Sequence, residues 1–168
     1  MFETERLYIK VLNGHELKSY ASNPVEFAKG HRLHSTETEL GLELIDAINN
    51  GFLPFVNDPR KRYIYYTLWL MVEKKSQVIV GSLCFHGEPE NGIAEIGYGV
   101  NAECRRQGYM TEALNGLLKW MSDQPDLNSV IAETDNDNIP SINTLLKTGF
   151  TKYESNENSS IFFYKLHP

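Results

Sequence analysis

Long apolar runs are missing from this sequence, and so is any excess of positive charge. No stretch approaches the ~20 apolar residues needed to cross a bilayer, and the N-terminus, MFETERLYIK, is acidic without a signal-peptide core. The chain is therefore expected to work in the cytoplasm, away from membranes. Lys and Arg number 16 against 22 Asp and Glu, a net charge of −6 at pH 7. General nucleic-acid binding relies on basic surface to displace counterions, so this balance excludes nucleic acid as a partner and suits a cationic amine. Cysteine is scarce. Cys84 and Cys104 lack metal-ligand spacing and read as reduced thiols, not as a disulfide framework or a nucleophile. His15, His31, His34, His86 and His167 show no metal-ligand spacing either, read as surface or packing residues, and leave no metal expected. Repeats, low-complexity tracts and linkers are also absent. The 168 residues, 41% hydrophobic and 23% charged, suit one domain spanning 1–168 with a sizeable core.

What is present begins with Leu7 to Val11, a short strand, and a helical stretch from Gly14 to Tyr20 that Asn23-Pro24 interrupts. Ser35 and Thr36 can cap a helix running to about Asn50, with a stripe of Leu40, Leu44, Ile45 and Ile48 and a stop at Gly51. Asn57 to Arg62 combines turn residues with basic ones, as a solvated loop or as a clamp for a phosphate. Ile64 to Val72 and Val78 to Phe85 flank the polar turn Glu73 to Gln77 and read as a hairpin. Ile93 to Val100 follows as a third strand, with Ala94, Ile96, Tyr98 and Val100 on one face and Glu95, Gly97 and Gly99 on the other. Asn128 to Thr134 is a further strand, parallel to the third across a helix, and Ile161 to Leu166 is the last.

That intervening helix is the centre of the pattern. Met110, Ala113, Leu114, Leu117, Leu118 and Met121 recur at steps of three and four, so a helix starts near Thr111. Arg105, Arg106, Gln107 and Gly108 precede it. A glycine there permits a turn whose N–H groups converge, the helix start adds free donors and partial positive charge, and the arginines supply charge partners. A phosphate or pyrophosphate suits this site; so does an ordinary solvated connection.

The run Arg105-Arg106-Gln107-Gly108-Tyr109-Met110 resembles the acetyl-coenzyme A loop of the GCN5-related N-acetyltransferase superfamily (GNAT), with Met110 where a small residue is usual. Gly108-Tyr109-Met110-Thr111-Glu112-Ala113 is similar to the branch holding the Rim-type ribosomal-protein N-terminal acetyltransferases. A second motif agrees: Asn138, a helix opened by Pro140, then Gly149-Phe150. With Trp69, Gly81 and Glu95-Ile96-Gly97-Tyr98, the resemblance covers about Tyr63 to Leu166. It implies an α/β (α+β) fold with a mixed, mostly antiparallel central sheet, helices on both faces and two splayed parallel strands. It further implies that the backbone of Gly99 and Val100 pairs with the pantetheine arm. Arg105, Arg106, Gln107, Gly108, Tyr109, Met110 and Thr111 would hold the pyrophosphate, with Asn138 and Ser141 beside the coenzyme.

Transfer of acetyl from a thioester to an amine needs a deprotonated amine, a polarised carbonyl and a proton for the departing thiolate, and no covalent enzyme intermediate. A carboxylate can act as base directly or through water, and a backbone N–H at the splayed strand can meet the oxyanion. Glu95 is the first candidate base, since it lies on the strand that the resemblance places at the splay; Glu133, on the partner strand, is the second. Glu95 reads equally as a solvent-facing strand residue. Glu103 reads as solvated and Glu112 as a helix-dipole partner. Many superfamily members place an acidic Tyr seven residues after the Asn, where this chain has Leu145. The resemblance offers Ser141 instead, to hydrogen-bond the coenzyme sulfur; the alternative for Ser141 is helix capping.

The expected activity is direct acetyl transfer from acetyl-CoA to a primary amine: the N-terminus of a ribosomal or other protein or peptide, or a small molecule. Three alternatives stay open: a CoA-binding module with little or no catalysis, a phosphate-binding domain of another fold, and an antibiotic or polyamine acetyltransferase. Neither the acceptor nor the oligomeric state is readable from the residues.

Overall fold

Alternating burial of Leu7, Ile9 and Val11 makes Leu7–Val11 an edge strand, β1, of the sheet that organises the computed structural model, which describes residues 2–167. Two capped helices follow. Asn13 and Glu16 form a capping box at the start of α1 (Gly14–Ser22), and Asn23 caps α2 (Pro24–Gly30), with Pro24 in its first turn. After β2 (His34–Ser35) come α3 (Leu42–Asp46) and a π-helical turn over Ala47–Phe52. The rest is β3 (Leu68–Glu73), β4 (Val78–Phe85), β5 (Ile93–Val100), α4 (Tyr109–Ser122), β6 (Ser129–Asp135), α5 (Ile139–Lys147), β7 (Thr151–Ser155) and β8 (Ser159–Lys165).

The eight-stranded sheet runs β1-β3-β4-β5-β6-β8-β7, with β2 beside β4. It is antiparallel apart from the β5–β6 pair and the two-residue β2–β4 pair. Helices cover both faces, and β3 shows why both are apolar. Trp69 and Met71 join one core with Ala113, Leu114 and Leu117 of α4 and Leu145 of α5; Leu68, Leu70 and Val72 join the other with Leu17, Phe27, Ile48 and Phe52. Each fully buried side chain of this size contributes about 1.5–3 kcal/mol. Those contributions hold the two layers against the sheet and fix where α4 begins.

One gap in the sheet positions the site. β5 and β6 pair only from Ile93↔Ser129 to Glu95↔Ile131. Beyond that β5 stays with β4 as far as Val100, and β6 stays with β8 as far as Asp135. The parallel strands therefore part after Glu95, as the fold expectation has it.

Three stretches differ from the sequence reading. The helix expected from Ser35–Thr36 starts only at Leu42, after Gly41, because Ser35 is in β2 and its hydroxyl is spent on a turn with the Glu37 backbone. The apolar stripe is still right, since Leu40 and Ile48 are buried, but Asn49-Asn50-Gly51 are poor helix formers and the last turn widens. The strand expected from Ile64 starts at Leu68. Tyr63–Tyr65 form a 3₁₀ turn, to which the Trp69 indole N–H is tied by a 2.8 Å bond to the Ile64 carbonyl. β7 went unread because all five of its residues are exposed, so it carries no apolar alternation.

Candidate active site

At its N-terminus α4 is open. Gly108 takes φ +80°, a left-handed conformation that costs glycine nothing, and gives no side-chain cap; Arg106 is left-handed as well, at φ +60°. Among the described residues the backbone N–H groups of Arg106, Gln107, Gly108, Tyr109, Met110 and Thr111 donate to no protein acceptor. Alternating left-handed residues gather such groups into a concave donor set, and the helix adds partial positive charge. Met110, at the position where the superfamily pattern has a small residue, is buried in the α4 stripe. Arg105, Arg106, Gln107 and Gly108 are exposed, and Arg105 Nε donates to the Val100 carbonyl at 3.2 Å. The residues present fit a pyrophosphate.

The loop is braced from a direction that the sequence did not announce. Arg6 Nε donates to Glu112 Oε2 at 2.6 Å, while the Thr4 hydroxyl and the Arg6 backbone N–H donate to Oε1 at 2.6 and 2.7 Å. Arg6 Nη1 also donates to the Gln107 carbonyl at 2.9 Å, and the guanidinium lies 4.7 Å from the Tyr109 ring centre. Burial raises the Glu112 carboxyl, but the hydrogen bonds from Thr4 and Arg6 outweigh it and hold the group below the ordinary carboxylate range. Glu112 is thus the anchor of the N-terminal segment, more than a partner of the helix dipole. An acidic residue in the first turn was the visible half of this pair; nothing in the sequence ties it to Thr4 and Arg6.

Where β5 and β6 part there is a cavity of about 450 Å³, lined by His86, Glu95, Gly97, Tyr98, Glu133, Asp135, Asn138 and Ser141 among others. Glu95, Glu133, Asn138 and Ser141, expected near one another, are all on its wall. Strand geometry decides which backbone groups face it. His86 N–H donates to the Glu95 carbonyl and Asn101 N–H to the Val80 carbonyl, so the peptide groups of Glu95, Gly97 and Gly99 turn to β4 and those of Ile96, Tyr98 and Val100 to the gap. Of the two residues expected to pair with the pantetheine arm, Val100 faces the gap and Gly99 faces β4.

Both faces of the sheet reach this cavity. On one, His86 lies directly across from Glu95, and its Nδ1 is 2.7 Å from Glu95 Oε1. The ring occupies the place that a side chain at Gly97 would fill, with Nε2 2.8 Å and Cys84 Sγ 3.0 Å from where that Cβ would stand. His86 is exposed, as the sequence reading has it, but it is also held to Glu95, a pairing that only the register of the β4–β5 pair reveals. On the other face the Tyr98 hydroxyl is 2.8 Å from Ser141 Oγ. Burial pushes the Tyr98 phenol up, against a smaller downward pull from Ser141, so it remains a neutral donor. The capping alternative for Ser141 is corrected as well: Asn138 is the cap, its side chain accepting from the Ser141 N–H at 3.3 Å, and the Ser141 hydroxyl is free for Tyr98. Leu145 is fully buried in the core. Glu133 accepts a short hydrogen bond from Ser159. Burial pushes the Cys84 thiol up to about 12, which keeps it neutral and unreactive.

The basic loop Asn57 to Arg62 takes no part in this geometry. Arg60 pairs with Asp58 at 2.7 Å, Lys61 with Glu88 at 3.5 Å and Arg62 with Asp126 at 2.6 Å, so each cation already has a carboxylate. Among the described residues there is no group of three or more His, Cys, Asp or Glu that could hold a metal ion.

Residues 15–151 match the family model of the acetyltransferase (GNAT) domain, and the chain belongs to that family. It is 40% identical over 83 residues to the uncharacterized N-acetyltransferase YjdG of Bacillus subtilis (strain 168), a segment covering 49% of each protein. A second relative, the uncharacterized N-acetyltransferase p20 of Bacillus licheniformis, is 30% identical over 83 residues, 49% of this chain and 47% of that protein. The chain thus spans about half the length of the curated relatives it matches. Among solved structures, an acetyltransferase (GNAT family) from Bacillus anthracis aligns with a TM-score of 0.67 at 16% identity, covering 98% of this chain and 97% of that one. Ribosomal-protein-S5-alanine acetyltransferase from Vibrio fischeri gives 0.63 at 16%, covering 98% and 95%. Spermidine N-acetyltransferase from Vibrio cholerae, in complex with CoA and spermine, gives 0.64 at 10%, covering 96% of each. At such identities these likenesses establish the fold.

Proposed function

We propose that residues 1–168 act as one acetyl-CoA-dependent N-acetyltransferase domain that transfers acetyl directly to a primary amine, in the manner of the Rim-type branch. The observation that carries this reading is the unpaired edge of β5 beyond Glu95, which joins the cavity around Glu95 and Ser141 to the open N-terminus of α4. In this proposal the N–H groups from Arg106 to Thr111, with Arg105 and Arg106, hold the pyrophosphate, and the peptide edge at Tyr98 and Val100 receives the pantetheine arm. Glu95 is the source of the basicity that prepares the amine, with Glu133 second. The Ser141 hydroxyl, oriented by Tyr98, donates to the departing sulfur. The Gly108-Tyr109-Met110-Thr111-Glu112-Ala113 phrase is what favours the Rim-type branch and a protein or peptide N-terminus as acceptor. The cytoplasm is the expected place of action.

One alternative acceptor has an observation in its favour. Glu95, Glu133 and Asp135 put three carboxylates on the cavity wall and, among the described residues, no Lys or Arg lines it, which favours a small polycationic amine. Thiol release from acetyl-CoA, measured across N-terminal peptides, lysine peptides, polyamines and aminoglycosides, decides between them. The reading predicts turnover with one of the first three classes. No thiol release with any amine, from a protein that binds coenzyme A, would leave a binding module.

A further inference from the structure

Within the acetyl-transfer reading, on which this inference rests, we infer that the amine's proton is received by His86 Nε2, and that Glu95 acts through the imidazole as its positioning residue. Three features meet at His86. Its Nδ1 is held 2.7 Å from Glu95 Oε1, an arrangement that puts the neutral ring's proton on Nδ1 and leaves Nε2 as an acceptor. Gly97, lacking a side chain, leaves the ring its place over the strand, with Nε2 2.8 Å from where that Cβ would stand, and His86 is on the cavity wall. Finally, the Glu95 oxygen nearest the ring is occupied by it, so a carboxylate that looked like a free base is committed to a histidine.

The charged and titratable groups around this cavity are Cys84 and His86 from β4 and the segment after it, Glu95 and Tyr98 from β5, and Glu133 and Asp135 from β6. The end of α5 contributes Asn138 and Ser141, both uncharged. The carboxylates favour the incoming ammonium, and an imidazole is in general a stronger base than an ordinary carboxylate.

The step balances without any further reagent. The ammonium gives one proton to Nε2 and becomes the neutral amine. Its nitrogen forms a bond to the thioester carbonyl carbon, and the C–S bond breaks. The nitrogen's second proton goes to the sulfur, with the Ser141 hydroxyl, held by Tyr98, as the donor to the sulfur, giving amide and free thiol, and the imidazolium returns its proton to water.

Two measurements test this together. Turnover of acetyl-CoA with the best amine, alongside calorimetry with coenzyme A, is compared for the parent, His86→Ala, Glu95→Ala and the double variant. We expect His86→Ala to lower kcat by roughly a hundredfold or more with coenzyme affinity unchanged, and the double variant to be no slower than His86→Ala alone. Ring nitrogen NMR of the coenzyme-free protein supplies a readout independent of activity. The neutral His86 ring should carry its proton on Nδ1 in the parent and mix tautomers in Glu95→Ala. Parental kcat in a folded His86→Ala protein, multiplicative losses in the double variant, or the proton on Nε2 in the parent would each overturn the inference. A parent that releases no thiol with any amine overturns the acetyl-transfer reading instead, a result that the ring spectrum alone does not produce.

Discussion

α4 and α5 both start beside the gap between β5 and β6, yet their first turns are built in opposite ways. Asn138 caps α5 by accepting from the Ser141 N–H, and Pro140 removes another donor. α4 starts at a bare left-handed Gly108, with its donors unpaired among the described residues. One terminus is satisfied by the protein and presents a hydroxyl; the other is left for an anion. A fold that caps α1, α2 and α5 with asparagines can evidently close a helix start. In the proposed function the open start of α4 receives the anion, and the closed start of α5 holds Ser141 in place.

The sharpest way to break this contrast is to fill the open end. Gly108→Asp adds a side chain at φ +80° and a negative charge amid the donors, and should weaken coenzyme A binding at least a hundredfold in a protein that stays folded, as calorimetry and circular dichroism would report. At the closed end, Ser141→Ala should lower kcat roughly tenfold to a hundredfold, equivalent to about 1.5–3 kcal/mol in the transition state, with melting nearly unchanged because the cap stays on Asn138. Asn138→Ala inverts the pattern, losing about 1 kcal/mol and about 2–4 °C in Tm. A Ser141→Ala protein with parental kcat would make that hydroxyl structural.

The brace behind the open end gives a smaller effect with a pH signature. Glu112 has its folded-state carboxyl below the unfolded value, ~4.3, so its stabilisation is fully present above that pH and is lost as pH falls through the folded value. Glu112→Gln should therefore melt below the parent at pH 7 and approach it in acid. Equal gaps at pH 7 and pH 3 would mean that the charge is irrelevant. Arg105→Ala should weaken coenzyme binding least, by a few-fold to tenfold, since it removes one exposed charge and keeps the backbone donors.

The two ends were also unequally legible. Gly108 and the α4 stripe stand in a local pattern of periodicity and punctuation, so the loop and its helix were readable from a short window. β4 and β5 were readable to the residue, since each is an apolar run bounded by turn residues. The Arg6–Glu112 brace joins residues 106 apart, and no window of sequence shows it. His86 and Glu95 are nine apart, but the loop between β4 and β5 does not specify register, and a shift of one residue would have put them on opposite faces. Tyr98 and Ser141 are 43 residues apart and meet because α5 packs on the Tyr98 face of the sheet, which no window of sequence shows.

The most direct test of the open helix start is an amide NMR titration of the chain with coenzyme A. Large shifts confined to the backbone N–H groups of residues 105–111, with smaller ones along Tyr98 to Val100, are the expected result. Shifts centred instead on Asn57 to Arg62, with the Gly108 amide unmoved, would contradict it.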